Sequence, residues 1–81
     1  MKPAACRSLA LERTAAEIAT AIEHLSEERD APFEVGGQDH GEKLTHALLA
    51  QRIRERIDRG EDPKDAFRAV MAEVCAVVVN D

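Results

Sequence analysis

The stretch DHGEKLTHALLAQRIRERIDR, residues 39–59, decides the fold. It opens with Asp39-x-x-Glu42, the form of a helix capping box, and Gly60 after it suits the left-handed position that ends a helix. Projected at about 100° per residue, the apolar side chains form two stripes on roughly opposite sides. One stripe is Leu44, Ala47 and Leu48, and the other is Leu49, Ala50, Ile53 and Ile57, with His46 among them. A helix with two apolar faces needs a layer of protein on each side.

One helix is predicted on either side of this stretch. In the upstream helix, apolar side chains recur at alternating spacings of four and three: Leu11, Ala15, Ile18, Ile22 and Leu25. In the downstream helix, Asp62 is the N-cap and Pro63 the first helical residue. Its apolar face consists of Ala66, Phe67, Val70, Met71, Val74, Val77 and Val78. The sequence therefore predicts an all-α protein, a three-helix bundle with helices at 8–29, 42–59 and 63–79.

The chain is expected to form a single helical domain over residues 1–81. Residues 1–7 are expected to be a flexible N-terminus, and residues 30–41, with one proline and three glycines, a loop. Phe33 in this loop has two interpretations, a side chain that folds back over the core or an anchor for a partner. Cys6 is expected to be an exposed thiol and Cys75 a core side chain, because the two cysteines show no paired spacing.

Size and charge exclude several classes of protein. The chain has 81 residues, a net charge of -5, two phenylalanines, and neither tryptophan nor tyrosine. These values exclude a two-domain enzyme, a dinucleotide-binding sheet, a disulfide-framework mini-protein and a membrane span. The first residues lack the apolar run of a signal peptide, which predicts a cytoplasmic protein with no membrane partner. The many alanines and arginines favour a bacterial or phage source.

The second apolar stripe of the central helix also bears on the oligomeric state. A small domain has a thin margin of stability, and short chains often cover a further apolar face by self-association. A homodimer is therefore expected. Its predicted interface consists of Leu44, Leu48, Val74, Val77 and Val78.

Between the two apolar stripes, Arg52, Arg56 and Arg59 share one side of the predicted helix. In one interpretation they are solvated charges, in a segment where acidic residues lie four positions from basic ones, as in Arg54 and Asp58. In the other they present a basic patch to an acidic partner or a phosphate backbone. The net charge of -5 and the lack of stacking aromatics argue against nucleic acid, although they do not exclude it.

The sequence holds no pattern typical of catalysis. The three histidines, His24, His40 and His46, do not form a metal-ligand spacing, so no catalytic residue, cofactor or metal is expected. The resulting hypothesis is a small non-enzymatic regulator or inhibitor that binds a larger cytosolic protein through its helix faces. Its predicted partner-binding residues are Phe33, Arg52, Arg56 and Arg59. Two alternatives stay open: a dimeric DNA-binding or antitoxin-like regulator that uses the arginine face, and an accessory subunit of an enzyme complex.

Overall fold

The computed structural model describes residues 2–79, with side chains described from Lys2 to Val74. Four helices form within this range: α1 (Pro3–Glu12), α2 (Ala15–Ser26), α3 (His40–Asp58) and α4 (Pro63–Val79). Residues 2–79 contain no β-strand. The prediction of an all-α protein is confirmed, but the bundle has four helices and not three. None of these helices is both long enough and apolar enough to cross a membrane.

The fourth helix arises from a break in the segment expected to be one helix over 8–29. Arg13 and Thr14 are extended, with φ of -124° and -78°. The Thr14 hydroxyl accepts a hydrogen bond from the Glu17 amide at 3.2 Å, and the Glu17 carboxylate accepts one from the Thr14 amide at 2.9 Å. This reciprocal capping box starts α2 afresh. Leu11 consequently leaves the apolar stripe and is 48 % exposed.

The expectation for residues 1–7 also has to be corrected. The first helix begins at Pro3, a residue whose fixed φ and missing N–H suit the first turn. Cys6 in that turn is fully buried, and burial raises the pKa of its thiol. The interpretation of Cys6 as an exposed thiol is therefore wrong. The side chains of Cys75, Val77 and Val78 lie outside the described residues.

The central helix α3 packs against the other three helices, which cover both of its apolar stripes within one chain. Its fully buried side chains are His46, Ala47, Ala50 and Ile53. Leu44, Leu49 and Ile57 are partly buried against the same core. Leu48 alone among its described leucines and isoleucines is exposed, at 45 %. Both stripes are thus covered within one chain except at Leu48.

Two long-range hydrogen bonds fix α1 on α3. The Lys2 amide donates to Nε2 of His46 at 3.0 Å, and Nη1 of Arg54 donates to the Ala10 carbonyl at 3.2 Å. Each pair is separated by 44 positions in sequence, so the two helices run alongside each other in the same direction. The bond from Arg54 satisfies one of the last carbonyls of α1, which lack partners within their own helix.

The predicted ends of the two later helices are close to those observed. Helix α3 begins at His40, two residues before the expected start, with the Asp39 carboxylate accepting from the Glu42 amide at 2.8 Å. Gly60 has φ of +107° and follows the C-cap of α3, as its left-handed preference predicts. The Asp62 carboxylate accepts from the Lys64 amide at 2.9 Å and caps α4, which spans Pro63–Val79 as expected.

The segment between α2 and α3 is free of helix, in agreement with the loop expected at 30–41. Val35 is buried within it, and Phe33 is partly buried against the core. The Arg13 guanidinium carbon lies 4.2 Å from the centroid of the Phe33 ring. Phe33 therefore has the contacts of a side chain folded back over the core. Its role as a partner anchor stays a prediction.

Replacing Thr14 by alanine is expected to lower the free energy of unfolding by about 1 kcal/mol, the usual cost of losing an N-cap side chain. The matched control is Thr20→Ala on the same helix. The Thr20 hydroxyl only donates back to the Ala16 carbonyl on an exposed surface, so its removal should have little effect. Urea unfolding followed by circular dichroism measures both variants. Equal losses of unfolding free energy in the two variants would show that the capping box does not stabilise the start of α2.

Candidate functional site

An open groove of about 580 Å³ lies between α1 and the start of α4. Leu11 and Phe67 supply its largest apolar side chains, with Pro63 beside them. Leu11 is exposed because the helix ends one residue later, at Glu12. The groove thus presents an apolar surface that the described residues leave uncovered.

Charged side chains surround this apolar surface. The Arg7 guanidinium carbon lies 5.7 Å from the centroid of the Phe67 ring, within the range of a cation–π interaction. Glu12, Asp62 and Lys64 also line the groove, together with Ser8. Its lining includes neither histidine nor cysteine. An apolar centre with a charged rim is the arrangement found at protein–protein interfaces.

The arginine face of α3 is largely neutralised within the chain. Nη1 of Arg52 lies 3.1 Å from one Glu73 oxygen, and Nη2 of Arg56 lies 2.9 Å from the other. Arg56 also pairs with Glu61 at 3.2 Å. The hydrogen bonds that Arg56 donates to Glu73 and then to Glu61 raise its pKa. The structure therefore does not bring Arg52, Arg56 and Arg59 together as a free basic patch, although Arg59 is exposed at the end of α3.

Arg54 bonds two partners, and the sequence indicates only one of them. Its Nε and Nη2 donate to one oxygen of Asp58 at 3.0 and 2.9 Å, which confirms the predicted pairing of residues four apart. The same guanidinium reaches the Ala10 carbonyl of α1. A single side chain thus joins two helices, and only the pairing within α3 has a sequence signal.

His46 is the one fully buried polar side chain among the described residues. Besides accepting from the Lys2 amide, its ring contacts the Gly36 carbonyl through Nδ1 at 2.7 Å. A carbonyl only accepts, so Nδ1 must carry a proton, and Nε2 must be unprotonated to accept from the Lys2 amide. The ring is therefore the neutral Nδ1–H tautomer and connects α1, α3 and the loop.

The other histidines lie around the backbone and side chain of Asp30. Nδ1 of His24 is 3.1 Å from the Asp30 carbonyl, and Nε2 of His40 is 3.2 Å from its carboxylate. Within the described part of the chain, no three His, Cys, Asp or Glu side chains are grouped so as to hold a metal ion. These two histidines therefore hold the loop at Asp30 by hydrogen bonds at the surface.

The pH dependence of stability is expected to arise partly from Glu17 and Glu42. The hydrogen bond from the Thr14 amide lowers the pKa of Glu17, and that from the Gln38 amide lowers the pKa of Glu42. Because both pKa values are lower in the folded state, the stabilisation is complete above the unfolded value near 4.5 and is lost as pH falls further.

The measurement is urea unfolding of the Glu17→Gln, Glu42→Gln double variant between pH 3 and pH 7. Its stability should fall less between about pH 4.5 and pH 3 than that of the unmodified chain. A second double variant, Glu23→Gln with Glu55→Gln, removes exposed carboxylates from the same two helices and should keep the original profile. Identical profiles for the two variants would contradict the assignment.

The fold and the groove together define the class: a small all-helical protein with an exposed apolar groove beside its N-terminal helix. The chain belongs to a family of unknown function (DUF6952), whose model matches residues 1–78. Comparisons with curated proteins and with solved structures give no match.

Proposed function

We propose that this protein is a small non-enzymatic regulator or inhibitor, which binds a larger cytosolic protein partner through the groove between α1 and α4. The observation that carries the proposal is the pair formed by Leu11 and Phe67. One of these side chains is 48 % exposed and the other only partly buried, within a groove of about 580 Å³. Covering a large apolar side chain contributes roughly 1.5–3 kcal/mol, enough for it to act as an anchor.

Charge adds selectivity to this apolar contact. The segment over residues 12–42 carries nine acidic side chains and two arginines. Most of the excess negative charge of the chain therefore lies on α2 and the loop that follows it. A partner with a basic surface would be attracted to this side of the protein. Of these acidic side chains, Glu12 lines the groove itself.

The DNA-binding alternative is less well supported by the geometry. Arg52 and Arg56 share Glu73, and Arg56 also holds Glu61, so phosphate groups would have to displace these carboxylates. Binding of that kind would fall steeply with salt, whereas a groove that buries apolar side chains is much less sensitive. The two functions can therefore be separated by one series of salt concentrations.

Affinity capture from a bacterial lysate, with and without nuclease, tests the proposal. The groove variant is Leu11→Asp, and the matched control is Leu48→Asp, since these two leucines are exposed to a similar extent, 48 % and 45 %. One stoichiometric protein should be retained by the unmodified chain and by Leu48→Asp, and lost with Leu11→Asp. Equal retention by both variants contradicts the groove. Recovery of nucleic acid that disappears after nuclease favours the DNA-binding alternative.

The homodimer remains a separate proposal, supported by Leu48. This leucine is exposed on α3, and the expected interface also includes Leu44 and Val74, which are partly exposed, with Val77 and Val78. Sedimentation equilibrium of the purified chain measures its mass. A dimer that Leu48→Asp converts to a monomer would support this interface, and a monomer at all concentrations would contradict it.

A further inference from the structure

The imidazole of His46 is fully buried, and both of its nitrogens are used. Nε2 accepts from the Lys2 amide at 3.0 Å, and Nδ1 donates to the Gly36 carbonyl at 2.7 Å. Only the neutral ring satisfies both partners. In the imidazolium form both nitrogens carry protons, so an N–H group on Nε2 would face the N–H group of Lys2. The docked position of α1 is thus incompatible with a charged His46.

We infer that His46 is a protonation-controlled latch, whose neutral ring holds the first turn of α1 on α3 and whose protonation releases that turn. The other attachment of α1, from Arg54 to the Ala10 carbonyl, lies near the opposite end of the helix and involves no histidine. Protonation therefore frees the start of α1 while its end stays in place.

The charged groups around the ring belong to two helices and a loop. On α3, Glu42 lies one turn before His46. The pKa of its carboxyl group is lowered first by the hydrogen bond from the Gln38 amide, then by the charge of the N-terminal amine, and then by the charge of His46. The positive charge of the N-terminal amine opposes a charged ring, and the Glu42 carboxylate favours it. At the N-cap of α1 the Lys2 side chain is exposed, and within α1 burial raises the pKa of the Cys6 thiol, which stays neutral. The loop offers only the Gly36 carbonyl, whose single bond is compatible with both forms of the ring.

Release of the first turn has consequences at two positions. Cys6 loses the cover that makes it fully buried, and Arg7 moves from its place over the Phe67 ring. Arg7 lines the groove to which partner binding is assigned above, so the regulatory consequence rests on that proposed function. The latch itself does not, because the exposure of Cys6 is measurable without any partner.

The experiment follows the reaction of Cys6 with 4,4′-dithiodipyridine, which labels thiols under acidic conditions, between pH 7.5 and pH 5.5. Cys75→Ser removes the second thiol, and a cysteine-containing peptide corrects for the chemistry of the reagent. The corrected labelling rate is expected to rise about tenfold on acidification, the effect of losing roughly one hydrogen bond. Circular dichroism at each pH verifies that the helices persist.

Two variants separate the latch from other effects of acid. His46→Gln keeps a donor and an acceptor but does not titrate, and its labelling rate should not change with pH. His24→Gln removes a half-buried histidine that lies outside the contact between α1 and α3, and it should keep the full rise. A rise that persists in His46→Gln overturns the inference, as does a flat profile in the unmodified chain. In the unmodified protein, nitrogen NMR of the His46 ring should show the Nδ1–H tautomer at pH 7.5, and a ring protonated on Nε2 at that pH would also overturn it.

Discussion

Replacing Ile53 by alanine should lower the free energy of unfolding by roughly 2–5 kcal/mol. Ile53 is fully buried in the middle of α3, the helix that contacts all the others. The truncation removes three carbon atoms from the core and leaves a cavity that rigid helices fill only in part. For a domain whose total stability is of order 5–15 kcal/mol, this loss takes the protein close to unfolding at ordinary temperature.

Urea unfolding followed by circular dichroism measures this effect against Ile57→Ala. Ile57 lies one turn further along the same helix and is only partly buried, so the same chemical change should cost less. The difference between the two variants isolates burial from helix propensity, which is identical for the pair. Equal costs would mean that Ile53 is not at the centre of the core.

Replacing His46 by alanine should lower the free energy of unfolding by about 3 kcal/mol. The variant leaves two part-buried hydrogen-bonding groups of the backbone, the Lys2 amide and the Gly36 carbonyl, without their side-chain partner. Each such group costs roughly 1–3 kcal/mol. The control is His24→Ala, because Nδ1 of His24 bonds the Asp30 carbonyl on an exposed surface, where water replaces the lost partner.

Hydrogen exchange provides a second measure of the His46→Ala variant. The amides of Ala5 and Cys6, which donate to the Lys2 carbonyl, should exchange faster than in the unmodified protein, while the centre of α3 changes less. The two variants test different features of α3. Ile53→Ala tests the packing of its core face, and His46→Ala tests its polar attachment to α1. Unchanged exchange at Ala5 and Cys6 would contradict that attachment.

The later part of the chain was the more predictable from sequence. Asp39 and Asp62 cap their helices, Pro63 opens one and Gly60 ends another, and all act on neighbours within a few residues. Local signals of this kind define helix ends without knowledge of the tertiary fold. The bounds of α4 and the end of α3 accordingly agree with the prediction.

The break between α1 and α2 was missed even though a local signal is present. Thr14-x-x-Glu17 matches the capping box, but the apolar spacing from Leu11 to Leu25 continues through it and favours one long helix. The helix period alone therefore placed Leu11 on the buried face of a helix, whereas this side chain lies on the surface. Because this helix boundary was missed, neither the exposure of Leu11 nor the groove could be predicted.

The contacts between helices could not be predicted from the sequence. Arg52 and Arg56 lie far from Glu73 along the chain, and no periodicity indicates that they share it. The same holds for His46, which the pattern placed on an apolar stripe without indicating its partners at Lys2 and Gly36. Such pairings depend on how the helices are arranged in space.

The two-residue bend at Arg13 and Thr14 also has a consequence for assembly. If residues 3–26 formed one straight helix of about 36 Å, α1 would point away from the α3 of its own chain. Its apolar side and its bonds to His46 and Arg54 would then find their partners only on another molecule, which is the geometry of a domain-swapped dimer. The extended conformation at Thr14 therefore keeps the fold closed within one chain.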